Sequence, residues 1–286
     1  MSSKKQSVLS GASRRDFLKT VGSTSVAATL GSFLGRTALG EMPSVRSGYG
    51  PLHPVADETT GLNLLTLPDG FRYRSFGWTG DPMADGSLTP ADHDGMGVVR
   101  VQNDIITIVR NHELKRNTQP FPNGARPFDP EAGGGCANLT FNGATGEWLE
   151  ARISLCGTAN NCAGGPTPWG TWLSCEETVL GPNGVDGDER YSFRKDHGWI
   201  FEVPSEGVCD PVPLKAMGRF VHEAIAVDPE TGIVYETEDR GTSGFYRFIP
   251  EQPRKLAAGG RLQMLKAKGF DDLGAGLKVG PTIGGM

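Results

Sequence analysis

The chain has 286 residues, with 41 glycines and 20 prolines spread along it rather than gathered into a linker. Beyond residue 40 it carries 22 basic against 32 acidic residues, a net charge of −10. That balance excludes a nucleic-acid-binding protein and suits hard cations held by carboxylate oxygens.

The first segment is Ser13-Arg14-Arg15-Asp16-Phe17-Leu18-Lys19, followed by an apolar stretch diluted with Gly, Ser and Thr that stays uncharged until Arg36. It is too short and too weakly apolar for a membrane span, which needs roughly 20 strongly apolar residues. With the small residues Ala38-Leu39-Gly40 before Glu41, it reads as a twin-arginine export signal. Residues 1–40 are therefore assigned to a signal peptide and 41–286 to the folded part. The reading implies a passing partner, the twin-arginine translocase, and a periplasmic or secreted product with no stable membrane insertion after cleavage. Export in the folded state favours a protein loaded with metal beforehand. The five cysteines, Cys136, Cys156, Cys162, Cys175 and Cys209, form no CxxC pair. Cys162 and Cys175 could meet across a hairpin, but buried, unpaired thiols are the favoured reading.

After residue 41 helical periodicity gives way to short β-branched and aromatic runs separated by Gly, Asn, Asp and Pro. Val98–Val101, Ile105–Val109, Ala224–Asp228 and Ile233–Tyr235 read as strands, and Asn142-Gly143 as the turn of a hairpin. Many short strands make the fold all-β, and a repeat selects a β-propeller. Trp169–Glu177 aligns with Thr231–Asp239, and each is followed by a second word, Gly198–Pro204 and Gly244–Pro250. The two words read as two strands of one blade. A weaker copy ends at Asn111-His112-Glu113, so about four blades are visible. Strand-terminal Glu113, Glu176 and Glu238 recur at spacings of 63 and 62 residues. Equivalent strand ends converge on the axis of a propeller, and the hairpin at Pro229–Gly232 adds Glu223 to the same end.

Converging carboxylates repel one another unless cations sit among them. Glu113, Glu176, Glu223 and Glu238 are thus candidate ligands for Ca²⁺, or Fe³⁺ as another hard ion. Asp92-His93-Asp94 could add a nitrogen from His93 and an oxygen from Asp94. His112 and His222 each precede a glutamate of the set, so strand alternation turns them away from it. Arg240 could bind a phosphate oxygen or pair with Asp239.

Taken together, Asp-His-Asp-Gly-Met-Gly, Asn-His-Glu, Asn-Cys-Ala-Gly-Gly-x-Thr-Pro-Trp-Gly-Thr-Trp-Leu-x-Cys-Glu-Glu, Phe-x-His-Glu-Ala and Thr-Glu-Asp-Arg-Gly resemble the PhoX-type alkaline phosphatases from about residue 50 to 265. The resemblance implies a β-propeller, iron and calcium held by glutamates, and hydrolysis of small phosphomonoesters outside the cytoplasm. It aligns Glu113, Glu176, Glu223 and Glu238 with family metal motifs. His93 stands where longer members carry a cysteine ligand, and those members continue through further blades beyond the position of Met286. The expectation is therefore an incomplete six-bladed propeller. Two other readings stay open: a calcium-stabilised binding module or inactive fragment, and a different propeller hydrolase such as a lactonase using one Ca²⁺.

Overall fold

A computed structural model describes residues 48–116 and 126–269. The signal assignment over residues 1–40 lies outside them. The chain divides into two compact units at Arg74/Ser75.

The described part of the first unit is a hairpin of β1 (His53–Ala56) and β2 (Asn63–Leu67). Its turn is set by Asp57, whose carboxylate accepts from the Thr59 and Thr60 amides and the Thr60 hydroxyl.

Among the described residues the second unit holds three antiparallel sheets of three or four strands, in chain order. The first contains β3 (His93–Gln102), β4 (Ile105–His112), β5 (Gly134–Asn142) and β6 (Glu147–Thr158), paired in that order. The second contains β7 (Asn161–Pro166), β8 (Thr171–Glu176) and, beyond a small hairpin of β9 (Val185–Asp186) and β10 (Glu189–Arg190), β11 (Ile200–Pro204). The third contains β12 (His222–Val227), β13 (Val234–Glu238), β14 (Phe245–Pro250) and β15 (Gly260–Met264). The expected two-word repeat is visible as the neighbouring pairs β8–β11 and β13–β14.

Local chemistry explains the turns. Asn142 accepts from the Ala144 and Thr145 amides between β5 and β6, and Asp228 accepts from Glu230 and Thr231 between β12 and β13. Alternation explains the packing. On β8, Trp172 faces the first sheet while Leu173 and Cys175 face the third, so the middle sheet is buried on both sides. On β11, Phe201 and Val203 likewise face the first sheet, and Ile200 the third.

The first strands of successive sheets lie against one another, β3 on β7 and β7 on β12. This is the side-by-side arrangement of propeller blades, and glycine permits it. A Cβ on Gly165 would overlap the Ile225 carbonyl of β12.

Candidate metal centre

The register repeats at one end of all three sheets. His93 pairs with His112, Asn161 with Glu176 and His222 with Glu238. Just after the first member of each pair the inner strand loses regular register, at 93–96, 161–164 and 222–225. Such a bulge re-aims one side chain. Here those side chains are Asp94, Cys162 and Glu223.

The residue that follows each second strand is also held in the same way three times. The amide of Glu113 donates to the Asp92 carbonyl at 2.8 Å, that of Glu177 to Asn160 at 2.9 Å, and that of Asp239 to Val221 at 3.1 Å. Each sheet therefore presents a pair: Asp94 with Glu113, Cys162 with Glu177, and Glu223 with Asp239.

The pairs meet. Donor atoms of Cys162, Glu177 and Glu223 lie within 4.8 Å of one another. Burial, reinforced by the Asp94 carboxyl, raises the pKa of Glu113. Glu177 is pushed up to about 7 by burial and then by Glu223, Glu113 and Asp239. Glu223 is also raised, chiefly by burial, with Asp239 and Asp94 adding to it. Burial pushes the Cys162 thiol well up, and the thiol faces the His222 carbonyl at 3.5 Å. Acids brought this close repel one another when ionised, and a cation among them would relieve the repulsion. Metal–oxygen and metal–sulfur bonds of roughly 2.0–2.6 Å span donor separations of this size, so the set fits a cation.

The structure sorts the expected residues. Asp94, Glu113 and Glu223 are brought together. Glu176 is not: its side chain is fully buried and accepts from the Ala159 amide at 2.9 Å, His197 Nδ1 at 2.6 Å, and the Gly198 and Trp199 amides at 2.7 and 3.0 Å. His197 in turn reaches Asp129 at 3.4 Å, so Glu176 ends a buried Glu–His–Asp chain. Glu238 is likewise turned aside, accepting from the Gly244 amide and the Tyr246 hydroxyl. His93, the register partner of His112, meets the Pro90 carbonyl at 2.9 Å and the His112 ring edge-on. The thiol that joins the carboxylates is Cys162, not a residue at position 93. Arg240 is exposed next to Asp239.

Sequence reasoning missed Glu177, Asp239 and Cys162. The signal was present: the alternation that turned His112 away from Glu113 also turns Glu176 away from Glu177 and Glu238 away from Asp239. All five cysteines are free, and Cys162 and Cys175 do not pair.

Fold and site together define an all-β, blade-built protein with a carboxylate–thiol centre at the strand ends. Its sequence matches the family model for alkaline phosphatase PhoX over residues 47–152 and 138–279. The chain belongs to the PhoX alkaline phosphatase family. No curated protein matches it. Among solved structures it is similar to Pseudomonas fluorescens PhoX in complex with vanadate, a transition state analogue, at 20% identity and a TM-score of 0.47. That similarity covers 65% of this chain and 47% of the other, so the chain spans about half that protein's length.

Proposed function

We propose that the chain acts as a metal-dependent phosphomonoesterase exported by the twin-arginine pathway to the periplasm or beyond. Family membership and the thrice-repeated ligand pair support this reading; the repeat is the observation that carries it. The donor chemistry supports Ca²⁺ among the carboxylates and Fe³⁺ nearest the Cys162 thiol. When bound, the metals would neutralise phosphate charge and activate the attacking oxygen. The chain's own contribution is to hold Asp94, Glu113, Cys162, Glu177, Glu223 and Asp239 at one end of three sheets. Because Glu113, Glu177 and Glu223 hold protons more tightly than usual, loading displaces protons and is favoured at neutral to alkaline pH. Arg240, one residue beyond Asp239, would take a phosphate oxygen. No helix among the described residues is long and apolar enough to cross a membrane.

The test is hydrolysis of a chromogenic aryl phosphate by the full chain after loading with Ca²⁺ and iron. Chelator should abolish turnover and Glu223→Gln should remove most of it. A folded, metal-loaded protein without turnover would return the choice to a calcium-stabilised binding module or an inactive fragment.

A further inference from the structure

Asn111 is fully buried on β4, two residues before Glu113, and both polar atoms of its side chain are hydrogen-bonded. Its Oδ1 accepts from Trp172 Nε1 at 3.1 Å, Ser174 Oγ at 3.0 Å and Cys136 Sγ at 3.1 Å. Its Nδ2 donates to the Ala163 carbonyl at 2.7 Å. Ala163 follows Cys162 inside the bulge of β7, where the ladder supplies no regular partner.

The same place in the third sheet is built differently. Thr237, two residues before Asp239, bonds the bulge of its own sheet, with its hydroxyl 3.0 Å from the Ala224 amide. Asn111 instead reaches across to the next sheet. Its own bulge carries Gly95, where a Cβ would sit 2.7 Å from Ala163 Cα and 2.9 Å from the Cys162 carbonyl. The Cys162-Ala163 peptide is therefore seated against a bare glycine, and the Ala163-Gly164 peptide that follows it is bonded by the Asn111 amide.

We propose that Asn111 is a positioning residue for the metal centre: with Gly95 it clamps the two peptides on either side of Ala163 to the first sheet, and so holds the neighbouring Cys162 thiol beside the Asp94–Glu113 pair. The inference rests on the metal reading above. A thiol tethered only within its own sheet would move with β7 relative to Glu113. The tie from β4 sets the spacing between the two ligand pairs.

The experiment uses Co²⁺ as a probe on the full chain, reading its affinity and the near-ultraviolet thiolate-to-cobalt charge-transfer band. Cys162→Ser should erase the band. Asn111→Ala should weaken Co²⁺ binding about tenfold or more, as losing an outer support of a ligand commonly does, and diminish the band. Ser174→Ala breaks the same buried network without touching the Ala163 tie, and should keep the band and nearly all the affinity. Gly95→Ala leaves the network intact but pushes the peptide away. It should reproduce the Asn111→Ala spectrum, and it stands in should Asn111→Ala fail to fold. Wild-type band and affinity in Asn111→Ala or in Gly95→Ala, or an equal loss in Ser174→Ala, would overturn the positioning role. A wild-type chain that binds no Co²⁺, or a band that survives Cys162→Ser, would instead overturn the metal reading and the inference with it.

Discussion

Two adjacent glutamates should behave in opposite ways when each is changed to glutamine. Glu176 is fully buried and accepts four hydrogen bonds, one from His197. The amide of glutamine keeps one oxygen acceptor but turns its NH₂ toward backbone N–H donors. About two charge-assisted bonds are lost, at about 1.5–3 kcal/mol each. The loss is roughly 3–6 kcal/mol, overlapping the range of about 3–5 kcal/mol for removing one member of a buried ion pair. His197 contributes in the same direction. Burial alone would lower its pKa, but Glu176 and then Asp129 more than offset this and raise it. Its stabilisation is complete below the unfolded value and fades as pH rises through the raised one. Glu177 is the reverse case. Its pKa of about 7 means that its charge is carried at a cost in the metal-free protein, full stability being present below about 4.5 and lost as pH rises through 7. It is partly open to solvent, so screening leaves on the order of 1 kcal/mol to be regained by Glu177→Gln at pH 8. Urea unfolding of the metal-free chain at pH 8, paired with Co²⁺ titration, separates the two. Glu176→Gln should unfold much earlier yet bind metal while folded; Glu177→Gln should unfold no earlier and bind poorly. A Glu176→Gln variant within 1 kcal/mol of wild type, or a Glu177→Gln variant with intact affinity, would refute the assignment of the two roles.

Gly165→Ala places a Cβ on the Ile225 carbonyl where β7 meets β12, and should cost about 2–3 kcal/mol by the urea midpoint. Glu236 is fully buried, 3.5 Å from His222 Nδ1, and burial pushes its pKa up to about 9. The stabilisation from the proton it keeps is complete below 4.5 and is lost progressively as pH rises from there to about 9. Melting temperature should therefore fall between about pH 4.5 and 9 and level off above, and Glu236→Gln should flatten the fall; an unchanged slope in that variant would point to another group. Replacing Arg14 and Arg15 by Lys should trap precursor in the cytoplasm, read by fractionation; normal export would sink the signal assignment.

Much of the architecture was legible in one dimension. Strand runs, turn residues and the two-word repeat are local properties, and β8–β11 and β13–β14 appear where the words placed them. The site was legible only in part, because a side chain's face has a period of two and one residue of misalignment reverses it. Aligning Glu113 with Glu176 and Glu238 matched like residue types across the wrong register. The structural repeat runs 113, 177, 239, set by the His112, Glu176 and Glu238 pairings and by three equivalent amide bonds. The bulges that carry Asp94, Cys162 and Glu223 leave no mark in composition; they are visible only in the register of the paired strands. Sequence alone determined that acids gather at the strand ends. Which acids, and that a thiol joins them, was decided by register and by contact between sheets, and neither is a property of any single segment.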